Sequence, residues 1–162
     1  MGQGASAIEV RLRPVAPADL EAFFADQADP IACAMAGFAS RARDAFFAHW
    51  AKNLAEPTNR MLTVLADGAV AGNVVAWGPT TERAVGYWIA RRLWGRGIAT
   101  AALARFVALE TTRPLVAHVA RHNPASRRVL VKCGFVEVPA AGTHGDDAGE
   151  VVMRLDCAPQ IA

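Results

Sequence analysis

The run Tyr-Trp-Ile-Ala-Arg-Arg-Leu-Trp-Gly-Arg-Gly-Ile-Ala-Thr, from Tyr87 to Thr100, constrains the fold of this chain more than any other segment. It begins as a β-rich stretch, passes through a basic loop with two glycines and continues into an alanine-rich helical pattern. Glycine lets the backbone turn its N–H groups inward, and the start of a helix adds partial positive charge. The run therefore predicts a strand–loop–helix unit that binds a phosphate or pyrophosphate group.

The composition sets the broad class of the chain. With 162 residues, of which 53% are hydrophobic and 20% charged, the chain is long enough to bury the core of one domain. We expect a single domain over 1–162, with 1–7 as a loose N-terminus. The net charge of +2 gives no signal for nucleic acid, and the apolar runs are too short and interrupted to cross a membrane.

The cysteines and histidines give no sign of a disulfide framework or a metal site. Cys33, Cys133 and Cys157 are odd in number, widely spaced and without a C-x-x-C pair, and the histidines lack metal-ligand spacing. A reducing cytosol is therefore the predicted compartment, and no metal is expected.

Hydrophobic periodicity and turn signals predict a mixed sheet with helices on both faces, an α/β chain of the α+β kind. Alternation or short apolar runs predict strands at 8–13, 61–66, 69–77, 82–90, 114–120, 135–138 and 150–155. Asp67-Gly68 is a strong hairpin signal between the second and third of these strands. Helices are predicted after Pro17, over 30–54 with a break around 37–43, after the glycine loop, and from Asn123-Pro124 to Gly134.

Three known glycine-rich motifs bind phosphate groups with a strand–loop–helix unit of this kind. A P-loop requires a Gly-Lys pair, which the chain lacks. A dinucleotide fold requires a third glycine and an acidic residue about 20 residues further on, and neither is present. The pyrophosphate loop for an acyl-coenzyme A follows the pattern R/Q-x-x-G-x-G/A, and the segment Arg92 to Gly97 fits every defined position. Alone, that pattern is weak.

A second motif makes the interpretation specific. The segment His122 to Phe135 resembles the pattern N-x-x-S-x-x-v-l-x-x-x-G-F of the GNAT acetyltransferase superfamily, and it follows the glycine loop after one helix and one strand. Within that superfamily the chain is most similar to the ribosomal-protein alanine and serine N-terminal acetyltransferases, through Gly86 to Ile89 and the opening Leu12-Arg13-Pro14. The resemblance implies a mostly antiparallel sheet of about seven strands with a splayed cofactor cleft.

The resemblance also implies a set of site residues. Backbone N–H groups of the glycine loop would bind the coenzyme A pyrophosphate, and an N–H near Ile89 would polarise the thioester carbonyl. Ser126 would donate a proton to the departing thiolate, because Leu130 stands where many relatives have a tyrosine. The implied cofactor-binding residues are Trp88, Ile89, Arg92, Trp94, Gly95, Arg96, Gly97, Ile98, Ala99, Thr100, Asn123 and Ser126. Structural alternatives stay open, since Asn123 is also a good N-cap and Ser126 a common first-turn residue.

The general base is missing from its usual place. Family members commonly carry a glutamate two residues before the Gly-Tyr pair, where this chain has Ala84. Glu82 is the nearest substitute, and its alternative role is that of a solvated carboxylate at a turn. Neutralising an α-amine of pKa about 8 costs about 1.4 kcal/mol at pH 7, against about 4.6 kcal/mol for lysine. A weak base therefore favours an α-amine or another amine of low pKa.

These features predict an N-acetyltransferase that moves an acetyl group from acetyl-coenzyme A to a primary amine by direct attack, with a protein N-terminus as one candidate acceptor. The alternatives are a non-catalytic sensor of acyl-coenzyme A, which Ala84 and Leu130 motivate, and an interaction protein that forms a homodimer through its last strands. The acceptor mouth is expected at 31–40 and 140–148. No nucleic acid or membrane partner is expected.

Overall fold

The polypeptide folds into one seven-stranded sheet, described by a computed structural model over residues 6–139 and 149–159. Five residues of the predicted loose N-terminus (1–5) and the predicted acceptor loop at 140–148 lie outside this range.

The strands are β1 (Val10–Pro14), β2 (Arg60–Ala66), β3 (Ala69–Trp77), β4 (Arg83–Ile89), β5 (Leu115–Ala120), β6 (Val136–Val138) and β7 (Glu150–Leu155). Their order across the sheet is β1-β2-β3-β4-β5-β7-β6. All neighbouring pairs are antiparallel except β4 and β5. The predicted fold class is confirmed.

The helices are α1 (Asp19–Gln27), α2 (Pro30–Ala36), α3 (Arg43–Ala55), α4 (Ile98–Leu109) and α5 (Pro124–Lys132). The break predicted around 37–43 within the helical region 30–54 is confirmed, because Gly37 ends α2 in a left-handed conformation with φ of 66°. Asp29 begins that helix by accepting the amide of Ile31 at 2.9 Å. The predicted hairpin is also confirmed, with Asp67 and Gly68 both at positive φ.

The helices cover both faces of the sheet. On one face, α4 and α5 pack on the main core, whose largest fully buried side chains include Phe106, Leu103 and Leu130. On the other face, α1 and α3 form a second cluster through Phe23 and Trp50 and their neighbours. Each face of the central strands is therefore buried, which explains why β5 reads as a nearly continuous apolar run.

The sheet splits between its two parallel strands. β4 and β5 pair only at Arg83↔Leu115 and Ala84↔Val116, and the amide of Arg83 donates to Pro114 O at 3.1 Å beside them. Beyond these residues the strands separate toward their carboxyl ends. The result is a wedge between β4 and β5, open where β4 enters the glycine loop.

Candidate active site

The glycine loop lies at the open end of the wedge. After β4 the chain makes a 3-10 turn at Arg91–Leu93, and Gly95 and Gly97 then adopt positive φ values of 74° and 78° before α4 begins. The first bond at the start of α4 joins the Ala101 amide to Gly97 O at 3.1 Å. Within the described residues, no acceptor contacts the N–H groups of 95–100, so six donors are available at one helix N-terminus.

The arginine side chains that precede the glycines bind protein carboxylates. Arg91 Nε lies 2.5 Å from Asp29 Oδ2, and Arg92 Nη1 lies 3.3 Å from Asp26 Oδ1. Burial raises the pKa of Asp26, and the positive charge of Arg92 opposes that shift. These ion pairs fasten the loop to α1 and to the start of α2, and they leave the backbone of the loop to face the wedge.

The wedge holds a cavity of about 500 Å³. The predicted cofactor residues that line it are Trp88, Ile89, Trp94, Gly95, Gly97, Ile98, Ala99, Thr100, Asn123 and Ser126. Arg92, Arg96 and Glu82 are absent from its lining. The cavity therefore runs from the donors of the glycine loop, between the separated strands, to the first turn of α5.

Two tryptophans form the β4 side of this cavity. The indole Nε1 of Trp94 donates to Ile89 O at 2.8 Å, which folds its ring over the end of β4. Trp88 meets Phe38 edge to face at 6.1 Å between ring centroids. Met35 of α2 also lines this part, so the wall nearest α2 is apolar.

The α5 side of the cavity carries the two polar residues of the second motif. Asn123 Oδ1 accepts the amide of Ser126 at 3.1 Å and so caps α5. Ser126 Oγ lies 2.6 Å from Tyr87 Oη, across the wedge. No functional role is predicted for Tyr87 from the sequence. Period-two alternation places it on the same strand face as Val85 and Ile89, but no local signal shows that it reaches a helix 39 residues away.

The proposed substitute base stands apart from the cavity. The predicted strand at 82–90 includes Glu82, but in the structure Glu82 precedes β4. Its amide donates to Pro79 O at 3.2 Å, which places the residue in a turn. Its carboxylate is 60% exposed and lies 3.6 Å from Arg154. Among the described residues that line the cavity, none is an aspartate or glutamate.

The described residues contain neither a metal-binding cluster nor a helix that could span a membrane. No cluster of histidine, cysteine, aspartate or glutamate within 6–139 and 149–159 is arranged to hold a metal ion. In the same residues, every helix is too short or too polar to span a bilayer.

A split sheet with a donor-rich glycine loop at its open end and a capped helix beside it is the arrangement of an acetyltransferase domain. Residues 9–136 match the family model described as acetyltransferase (GNAT) domain. The chain therefore belongs to the GNAT acetyltransferase family. No protein of curated function matches it by sequence.

Solved structures show the same fold. An acetyltransferase from Agrobacterium tumefaciens is 25% identical, with a TM-score of 0.74 and 90% of each chain covered. The spermidine N-acetyltransferase of Vibrio cholerae, in complex with CoA and spermine, is 18% identical at a TM-score of 0.75, with 90% of this chain and 92% of that one covered. RimJ of Mycobacterium smegmatis, in complex with CoA-disulfide, is 23% identical at a TM-score of 0.68, with coverages of 91% and 81%.

Proposed function

We propose that this protein is an N-acetyltransferase that transfers the acetyl group of acetyl-coenzyme A to a primary amine by direct attack. One observation carries the proposal. The wedge between β4 and β5 ends at six backbone N–H groups that have no acceptor among the described residues. Such a cluster at a helix N-terminus suits the two phosphates of a diphosphate, and the wedge beside it suits an extended, mainly apolar tether.

The residues present fit coenzyme A. A Cβ added at Gly95 or Gly97 would meet no atom within 4 Å, so the space above both glycines is open to a ligand. Arg128 and Lys132 bring positive charge to the cavity lining from α5. The cavity of about 500 Å³ falls in the range of small-molecule sites.

The chemistry needs few protein groups. When bound, the thioester supplies an acetyl carbon whose C–S bond breaks, with its electron pair going to sulfur, as the amine lone pair forms the C–N bond. The loop amides hold the diphosphate, and Ser126 presents a hydroxyl at the cavity wall that can donate a hydrogen bond to the sulfur. Glu82 stays a prediction as a base, since it would have to act from outside the described cavity lining.

The proposed acceptor is an amine of low pKa, with a protein N-terminal α-amine as the leading candidate. The described cavity lining offers no carboxylate to remove a proton, and an α-amine is neutral far more often than lysine at pH 7. The likeness to RimJ agrees with the resemblance to ribosomal-protein N-terminal acetyltransferases. The Vibrio spermidine enzyme represents the competing class of small amines.

We propose a cytosolic location because all three cysteines are free thiols. A homodimer stays a prediction.

Calorimetry and an acceptor screen test this proposal. We expect acetyl-coenzyme A to bind, and free thiol to be released fastest with peptides that carry a free α-amine. The same peptides with a blocked N-terminus and a free lysine are the matched control. Absence of binding at millimolar acetyl-coenzyme A would refute the proposed cofactor. Binding without thiol release on any peptide or amine would instead favour the sensor.

A further inference from the structure

Two hydroxyl groups are hydrogen-bonded across the wedge, and their geometry indicates that one of them orients the other. Tyr87 Oη, on β4, lies 2.6 Å from Ser126 Oγ and 3.2 Å from Ser126 O, in the first turn of α5. Both residues line the cavity. This contact is a direct polar link between β4 and α5, and it fixes the Ser126 hydroxyl beside the space that a ligand would occupy.

The number of protons on this pair determines whether a hydroxyl is free to donate a hydrogen bond to a ligand. Tyr87 has one proton and two acceptors within reach, while Ser126 Oγ can accept and donate at once. If Tyr87 donates to Ser126 Oγ, the serine proton is left over and can turn into the cavity. Burial raises the pKa of Tyr87 to about 12, and the hydrogen bond with Ser126 opposes that rise. The phenol is therefore protonated at neutral pH.

We propose that Tyr87 is a positioning residue, which donates its proton to Ser126 Oγ and thereby directs the Ser126 hydroxyl at the sulfur of coenzyme A. This inference rests on the proposed function. Through this arrangement Ser126 donates a hydrogen bond to the thiolate that forms when the C–S bond breaks. As the C–N bond forms, the acceptor amine releases one proton to solvent, and this proton accounts for the negative charge that the thiolate carries.

The pair holds its protons throughout. An alkyl thiol, with a pKa of about 8.5, is a stronger acid than the buried phenol of Tyr87. Full proton transfer from the tyrosine, through the serine, to the thiolate is therefore unfavourable. A hydrogen bond to a charged acceptor is nevertheless stronger than one to a neutral acceptor. We conclude that the pair stabilises the thiolate as a donor and does not protonate it.

The test compares the binding of coenzyme A with that of its desulfo analogue, which lacks only the sulfur. For the wild-type protein we expect the affinity for coenzyme A to rise between pH 7 and 9, and the affinity for the analogue to stay flat. At pH 9 the preference for the sulfur compound should reach about tenfold, the effect of one hydrogen bond to a charged group. Calorimetry measures both ligands without any acceptor amine.

The variants assign that preference to the pair. Tyr87→Phe and Ser126→Ala should each reduce the preference at pH 9 to about twofold or less, and the double variant should lose no more than Ser126→Ala alone. Ser126→Thr keeps a hydroxyl and should retain most of the preference. Thr63→Val is the matched control, because it removes a buried hydroxyl bonded to Asp19 at 2.7 Å, outside the cavity lining.

Each contrary result has a distinct meaning. If Tyr87→Phe weakens both ligands equally, Tyr87 only supports the fold and the inference is wrong. Losses that add in the double variant would also overturn it, because the two residues would then act independently. If the wild-type protein binds both ligands equally at pH 9, this inference fails and the proposed function stands. If it binds neither ligand, the proposed function itself fails.

Discussion

At the scale of single residues, Gly97 is the position where backbone conformation and ligand binding coincide. Its φ of 78° is strained for any side chain, and a Cβ would enter the open space above the loop amides. We predict that Gly97→Ala lowers the free energy of unfolding by about 1 kcal/mol. It should also weaken acetyl-coenzyme A binding by about tenfold, the cost of one lost hydrogen bond to a charged group. Denaturant unfolding and calorimetry measure the two effects.

Gly68 supplies the matched control for that substitution. It has a similar φ of 82° and equally open surroundings, but it lies in the hairpin turn between β2 and β3. Gly68→Ala should cost the same stability, about 1 kcal/mol, and leave the affinity for acetyl-coenzyme A unchanged. Equal losses of affinity in the two variants would show that strain, and not the loop geometry, governs binding.

Asn123 allows a helix cap to be separated from a ligand contact. Its Oδ1 caps α5 by accepting the Ser126 amide, and the residue also lines the cavity. Asn123→Ala should cost about 1 kcal/mol of stability, whereas Asn123→Asp should keep the cap and the stability. We expect both to weaken coenzyme A binding, the aspartate because it replaces an N–H donor with a negative charge. Undiminished binding by Asn123→Asp would leave the residue as a cap alone.

These residues differ in how far the sequence could identify them. Asn123 and Ser126 belong to one short motif and lie three positions apart, so the sequence predicts that both stand at the start of the same helix. Tyr87 is invisible to such patterns, because its partner lies on another element and only the width of the wedge brings them together. Glu82 shows the converse, since a one-residue shift in the start of β4 puts its carboxylate in a turn.

At the scale of elements, a buried ion pair closes the narrow end of the wedge. Arg83, 3% exposed, donates to Thr58 O at 2.6 Å and to Gly78 O at 2.9 Å. Glu110 Oε2 lies 3.5 Å from Arg83 Nε and 3.2 Å from Arg60 Nε. Burial alone would raise the pKa of Glu110, but hydrogen bonds from Thr112 and the two arginines lower it.

Removal of the Glu110 charge should therefore be costly. Glu110→Gln leaves Arg83 buried without a counter-ion, and we predict a loss of about 3 kcal/mol in the free energy of unfolding. Glu137→Gln is the control, because its pair with Arg127 is 39–45% exposed and should be worth less than about 1 kcal/mol. Urea unfolding at pH 7 compares them, and similar losses would contradict the assignment of Arg83 and Glu110 as the closure of the wedge.

The elements themselves were predictable to a greater extent than their arrangement. The Asp67-Gly68 turn and the Asn-Pro helix start are local signals, and the structure has them where the sequence predicts them. The split between β4 and β5 has no local signal, since both strands have ordinary apolar sequences and only their tertiary pairing stops after two residues. The sequence predicts the wedge solely through the family resemblance.

At the scale of the whole molecule, stability in acid depends on a carboxylate that fastens β1 to α1. The Asp19 side chain is 4% exposed and accepts from Arg13 at 2.6 Å, from the Ala16 amide at 2.8 Å and from Thr63 Oγ1 at 2.7 Å. The hydrogen bond from Arg13 is the main cause that holds the pKa of Asp19 well below its usual range. Asp19 thus joins the first strand, the first helix and the neighbouring strand.

A carboxylate with a depressed pKa in the folded state stabilises the protein above the unfolded pKa, about 3.9, and this contribution is lost as the pH falls toward the folded pKa. We therefore predict that the free energy of unfolding is nearly constant from pH 7 to about 5 and falls steeply below pH 4. Asp19→Asn should cost about 3 kcal/mol at pH 7, and the gap to the wild-type protein should narrow in acid. The exposed Asp44→Asn variant should follow the wild-type curve. A gap that stays constant from pH 7 to 3 would show that Asp19 stabilises the fold through packing and not through its charge.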